Sequence, residues 1–112
     1  FAIAGAALKT KNKKLIKITS EGEEFIKHAC EQVLRFTQVS KWDNLSEELK
    51  VQLGFNLGVI ALGLHLNKEE GFLVLSSARN GSISMEKFHK HVRSLTLSYN
   101  IAVDEEKVAR PL

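Results

Sequence analysis

Apolar residues recur at helical spacing in two parts of the chain and predict its best-defined helices. One helix is predicted over 21–38, with Ser20 and Glu23 as a capping box at its start. Its core face would carry Phe25, Ala29, Val33 and Phe36, with Ile26, Cys30, Leu34 and Thr37 beside them. Another is predicted over 85–98, capped by Ser84, with Phe88, Val92, Leu95 and Tyr99 at helical spacing.

The stretch over 49–66 has an ambiguous pattern. Val51, Leu53, Phe55, Leu57 and Val59 alternate with polar or small residues, which is typical of a strand. The acidic pair Glu47 and Glu48, capping residues at Asn44 or Ser46, the length of the run and the lack of a hairpin turn favour a helix instead. We therefore predict a buried central helix over 46–66, with strands over 49–66 as the alternative.

Shorter elements complete the predicted fold. Asn67 can cap a helix over 68–77, residues 78–81 read as a turn, and a further helical turn can start at Asp104 and stop at Pro111. The sequence predicts an all-α domain, a compact bundle of four or five helices whose core comes from 21–38, 46–66 and 85–98. The alternative class is α+β, with 49–66 in strands.

Charge divides the chain into an arm and a domain. Lys9, Lys11, Lys13, Lys14 and Lys17 are five of the sixteen basic residues, in a segment without acids, and the other eleven accompany thirteen acidic residues. We expect residues 1–18 to form a basic N-terminal arm and 19–112 to form a single helical domain. The chain begins with Phe1 rather than Met, so we expect it to be a fragment, a processed product or the ordered part of a longer protein.

Cysteine content and hydropathy indicate the cellular location that the sequence favours. Cys30 is the single cysteine, so neither an internal disulfide nor a multi-thiolate zinc site is possible, and an intracellular location is expected. Gln52, Asn56 and His65 interrupt the most apolar stretch, so no membrane insertion is predicted. The opening FAIAGAAL lacks preceding positive residues, which disfavours a secretory signal.

Metal and cofactor sites are not predicted. Residues 76–88 resemble an EF-hand loop in outline, with Gly81 at the turn. The ligand positions would be Ser76, Ala78, Asn80, Ser84 and Lys87. A lysine at the last position cannot replace the bidentate glutamate that calcium requires. His28 with Cys30, and His89 with His91, are two positions apart and point in different directions on a helix.

No catalytic motif is present, so the sequence predicts a protein that is not an enzyme. Gly54, Gly58 and Gly63 lack the spacing of a nucleotide-binding loop. A weaker hypothesis is an enzyme with Cys30 as its nucleophile, although a thiol within an amphipathic helix is more simply a core residue.

Lysines provide the first functional hypothesis. The five arm lysines, together with Lys87, Lys90 and Arg93 near His91, can neutralise phosphates. We therefore predict a non-enzymatic binding and assembly module that contacts RNA or DNA. Its alternative is a protein-interaction or self-association domain without nucleic-acid binding. Gly54, Gly58 and Ala61 would form a strip of small residues for helix contact, either within the chain or between subunits.

Overall fold

The computed structural model describes residues 20–111, which form five α-helices and one short 3-10 helix. In chain order these are α1 (Ser20–Phe36), the 3-10 helix (Trp42–Asn44), α2 (Glu47–Gly63), α3 (Lys68–Arg79), α4 (Met85–Ser98) and α5 (Glu105–Ala109). No described residue lies in a strand. The all-α prediction is therefore confirmed, and the strand alternative for 49–66 is wrong. The basic arm lies outside the described residues.

Helix starts follow the capping residues of the sequence. The side-chain oxygens of Ser46, Asn67 and Ser84 accept hydrogen bonds from first-turn backbone N–H groups at 3.2, 2.9 and 3.1 Å. Each bond satisfies an N–H that has no partner within its own helix. Because this capping is local, α2, α3 and α4 begin within one residue of where the sequence places them.

Three helices end through a left-handed residue. His65, Gly81 and Asn100 have φ values of 56°, 83° and 56°. In each case the next backbone N–H bonds the carbonyl five positions earlier, at 2.7, 2.8 and 2.8 Å. This arrangement is the Schellman motif, which satisfies carbonyls at a helix end. It ends α2 at Gly63, whereas the sequence predicted an end at residue 66.

α1 and α2 form an antiparallel pair with a close approach near Gly63. A Cβ atom built at Gly63 would lie 2.3 Å from Cδ1 and 2.6 Å from Cγ1 of Ile26. Ile26 is itself buried, so a side chain at residue 63 would require either the Ile26 side chain or the helix pair to shift. α3 packs on α2, and α4 packs on both α1 and α3.

The core lies between the α1–α2 pair and α4. From α2 it receives Leu53, Leu57, Ile60 and Leu64, all on one face of that helix. Phe88 and Val92 of α4 belong to the same core. α1 packs directly on α2, and α4 packs on α1 and α3, so these side chains belong to one continuous core.

Hydrogen bonds between α1 and the C-terminal residues hold α5 in place. The buried carboxylate of Glu31 accepts from the backbone N–H of Asp104 at 2.6 Å. Arg35 donates to the carbonyls of Arg110 and Pro111, and the Gln38 amide donates to a carbonyl of α5. We call these bonds from Glu31, Arg35 and Gln38 to residues 104–111 the C-terminal clasp.

Candidate functional site

The predicted nucleic-acid residues are only partly within the described chain. Lys9, Lys11, Lys13, Lys14 and Lys17 lie outside the described residues. Lys87 and Lys90 are exposed on α4, and Lys90 Nζ lies 3.9 Å from the carboxylate of Glu86. Both lysines are therefore accessible to an anionic partner.

Arg93 is committed to a contact within the chain. Its guanidinium donates two hydrogen bonds of 2.7 Å to the two carboxylate oxygens of Glu105, which joins α4 to α5. This bidentate bond raises the pKa of Arg93 and lowers the pKa of Glu105. A phosphate would have to compete with Glu105, so Arg93 is a weaker contributor to an anion surface than its sequence position indicates.

The small-residue strip of Gly54, Gly58 and Ala61 faces α3 of the same chain. A Cβ at Gly54 would lie 3.9 Å from Leu75, and one at Gly58 would lie 3.9 Å from Phe72. Ala61 is buried. The structure thus places the strip under α3, where a second copy would not reach it without displacing that helix.

Cys30 has the properties of a core residue rather than a nucleophile. Its side chain is fully buried, and burial, with a smaller contribution from Glu31, raises the pKa of the thiol to about 12. The reactive thiolate is therefore scarce at neutral pH, and no substrate can reach the sulfur in the folded chain. The hypothesis of a Cys30-centred active site is wrong.

His89 contacts a side chain at the end of α1. It is half-buried, and its Nδ1 lies 2.9 Å from the hydroxyl of Thr37, which is also within hydrogen-bond distance of the Val33 carbonyl. If the hydroxyl donates its one proton to that carbonyl, it accepts from Nδ1–H of a neutral imidazole. Burial, with a contribution from Arg93, lowers the pKa of His89. His89 therefore links α4 to the end of α1, while His91 is exposed.

Residues 20–111 contain neither a metal-binding cluster nor a membrane-spanning helix. Within that range, no group of three or more His, Cys, Asp or Glu side chains could hold a metal ion. The helices of the same range are too short or too polar to cross a membrane.

Six large apolar side chains are exposed on α1, α2 and α3. They are Phe25 of α1, Val51, Phe55 and Leu62 of α2, and Phe72 and Leu73 of α3, with exposed fractions between 40% and 74%. We call this group the apolar face. A seventh, Leu97, is exposed on α4 and lies apart from the others.

The apolar face lies opposite the core side of α2. At about 100° per residue, Val51, Phe55 and Leu62 point about 160° to 200° away from Leu53. Leu53 is fully buried, and the other core residues of α2 share its direction. α2 is consequently apolar on two opposite faces, one covered and one open.

Neighbouring helices extend the open stripe of α2. Phe72 lies against Gly58, which is flanked along α2 by Phe55 and Leu62. On the other side, Ile26 contacts Gly63, and the residues that precede these two are Phe25 and Leu62. In an antiparallel helix pair, residues preceding two contacting residues point to the same side. The apolar face therefore continues across all three helices.

The sequence had assigned part of this face to the core. Phe25 was predicted on the core stripe of α1, but its side chain is 58% exposed. Among the five described phenylalanines, Phe36 and Phe88 are buried. Helical spacing identified the shared face correctly for Ala29 and Val33, but Phe25 lies at its edge, near the start of α1.

Comparisons of the chain with protein-family models, curated proteins and solved structures found no match. The apolar face and the charges around it are therefore the features of the chain that bear on its function.

Proposed function

We propose that the chain is a non-enzymatic binding and assembly module that recognises another protein through the apolar face. The observation that supports this proposal is the continuity of six exposed, large apolar side chains across α1, α2 and α3. Scattered apolar residues are normal on a protein surface, but contiguous patches of several hundred Å² mark interaction sites.

The size of the apolar face fits the centre of a protein interface. Taking about 150 to 250 Å² for each aromatic side chain, the exposed fractions of the three phenylalanines alone amount to roughly 300 Å² of apolar surface, to which the three aliphatic side chains add. A standard interface covers about 800 Å² per partner, with an apolar centre and a polar rim. The three phenylalanines of the face are of the residue class that anchors such interfaces.

Quantitative affinity capture of the full chain tests this proposal. The Phe55→Ser variant removes a central side chain of the apolar face, and Leu97→Ser is the matched control because Leu97 is exposed at 76% on α4. Proteins that bind the natural chain and the Leu97→Ser variant, but are lost with Phe55→Ser, would be partners of the face. Purified candidates should then bind directly, with the same order among the three chains.

Equal retention of all partners by Phe55→Ser would contradict the proposal. Urea unfolding of both variants is the necessary control. Each variant should retain the free energy of unfolding of the natural chain within about 0.5 kcal/mol, which is the usual effect of an exposed substitution.

Nucleic-acid contact is a second proposal, carried by the charge pattern of the sequence. Five lysines lie within residues 1–18 without an acid, and Lys87 and Lys90 are exposed on α4. Such lysines bind phosphates with little sequence preference and release counterions. The apolar face is a poor candidate for contact with nucleic acid, because the charged residues beside it are mainly glutamates.

Binding of the full chain to a labelled single strand and a labelled duplex across a salt series tests this second proposal. Affinity should fall steeply with salt, and replacing Lys11, Lys13 and Lys14 with Ala should weaken it. A variant with Lys27, Lys41 and Lys68 replaced by Ala has the same net charge and is the matched control. Equal binding by the two triple variants would remove the arm from the proposal.

A further inference from the structure

We infer that the apolar face binds an amphipathic helix of a partner protein whose apolar stripe is flanked by lysine or arginine. This inference rests on the proposed protein-binding function and adds the chemistry of the partner. It follows from the shape of the face and from the charges at its edge.

The open stripe of α2 has the length of a helix-binding site. Val51 and Leu62 are eleven positions apart, which corresponds to about 16 Å along the helix, or three turns. Gly58 lies between Phe55 and Leu62 and has no side chain, while Phe72 of α3 borders it. Phe72 thus extends the apolar row of α2 onto α3. An amphipathic helix presents a matching row at positions i, i+4 and i+7.

Glutamates occupy the helical positions next to the apolar face. Glu21 lies four positions before Phe25, Glu48 three before Val51, and Glu69 four before Leu73, and all three glutamates are exposed. Residues at these spacings are neighbours on a helix surface. Lys68 is the one lysine or arginine at such a spacing from any residue of the face.

Two of these glutamates lack a compensating charge in the described structure. Among residues 20–111, no basic nitrogen lies within ion-pair distance of the carboxylates of Glu48 and Glu69. Basic residues on the flanks of a docked helix would supply that charge, and complementary potentials raise both the association rate and the specificity.

The same charges disfavour a second copy of this chain as the occupant. A symmetric dimer joins one patch to the identical patch of its partner. The glutamates around the face would then share one rim with those of the other copy, and like charges across an interface reduce affinity.

Three designed peptides of equal length, each labelled with a fluorophore, test the inference on the full chain. The first is an amphipathic helix with leucines at i, i+3, i+4 and i+7 and flanking lysines. The second carries glutamates in place of the lysines, and the third has the composition of the first in an order without helical periodicity. Fluorescence anisotropy should show that the first binds at least about tenfold more tightly than either of the others.

Variants of the chain locate the peptide. Phe55→Ser should weaken binding of the cationic helix about tenfold, as loss of an anchoring interface side chain does, and Leu97→Ser should not. A Glu48→Gln, Glu69→Gln double variant should weaken it several-fold and reduce its salt dependence.

Any other result of the peptide-binding experiment overturns the inference. Preference for the acidic helix, equal binding of the non-periodic peptide, or failure of the cationic helix to bind would refute the assigned chemistry. If affinity capture still showed partners lost with Phe55→Ser, the proposed function would survive that failure. Sedimentation that shows a dimer dissociated by Phe55→Ser would identify a second copy as the occupant instead.

Discussion

The two sides of the α1–α2 pair are completed in different ways. On one side, the leucines of α2 are buried in the core that α1 and α4 share with them, and the C-terminal clasp uses buried Glu31 to fix the chain before α5. On the other side, Phe55 and its five neighbours remain open to solvent. The covered side contains the packing that determines stability, whereas the open side contributes little to it. Residues of the apolar face are therefore free to serve recognition without endangering the fold.

Matched truncation of a phenylalanine on each side should give the largest contrast. Phe88→Ala creates a cavity in the core and should lower the free energy of unfolding by about 3 to 5 kcal/mol. Phe55→Ala removes a side chain that is 59% exposed and should change it by about 0.5 kcal/mol or less. Urea unfolding of the full chain measures both. Similar losses would show that the apolar face is structural.

Opening the C-terminal clasp should have the next largest effect. Glu31→Ala leaves the partly buried N–H of Asp104 without its acceptor and should reduce stability by about 1 to 3 kcal/mol. Hydrogen exchange should accelerate in α5 before it does in α2. Glu48→Ala, at the edge of the apolar face, is the comparison and should have almost no effect on stability. Unchanged exchange in α5 would show that other contacts hold this helix.

Gly63 lies at a close contact between two helices, whereas Gly71 has open space beside its Cα atom. Gly63→Ala would force its Cβ into Ile26 and should destabilise the chain by about 1 to 3 kcal/mol. A Cβ at Gly71 of α3 meets no atom within 4 Å, so Gly71→Ala should stabilise the chain by up to about 1 kcal/mol through helix propensity. Thermal unfolding should shift in opposite directions, and a shared direction would contradict the assigned contact.

The smallest expected effect is a dependence of stability on pH through His89. Burial lowers its pKa below 6.5, so the unfolded chain binds this proton more readily than the folded chain. The stability contributed by neutral His89 is therefore complete above pH 6.5 and declines as the pH falls through the lowered pKa. His89→Gln should flatten the decline in the urea midpoint between about pH 7 and pH 5. His91→Gln, at an exposed position, provides the control.

Local signals in the sequence predicted where the helices begin. Ser46, Asn67 and Ser84 are side chains that bond N–H groups within three positions, so their effect can be read without knowledge of the fold. The end of α2 was not predicted, because His65 adopts the left-handed conformation that glycine or asparagine usually marks. Gly63 is instead required by its contact with Ile26, which only the packed structure reveals.

The strand-like pattern of α2 has a physical explanation. Residues two positions apart lie about 200° apart on a helix, so Leu53 and Phe55 point in nearly opposite directions. An α2 that is apolar on both faces therefore reproduces the alternation expected of a strand. Periodicity could not show which face of α2 the core would cover, and for that reason the apolar face was not predicted.

Contacts between residues far apart in the chain also could not be predicted from the sequence. Arg93 was assigned to an anion-binding patch because its charge was visible, but its two bonds to Glu105 depend on how α5 returns to α4. Glu31 similarly reads as an ordinary helix carboxylate until Asp104, which lies 73 positions later in the chain, is placed beside it.

Because Cys30 is buried, a cysteine introduced at an exposed position of the chain can be labelled selectively. Cys30 is the one cysteine of the sequence, and its inaccessible thiol should react with a maleimide only when the core opens. The rate of that slow modification reports the opening of α1 from its neighbours. A cysteine introduced at residue 51 or 62 would react rapidly and selectively in the native background, so a fluorophore or cross-linker can be attached to the apolar face without altering the interior.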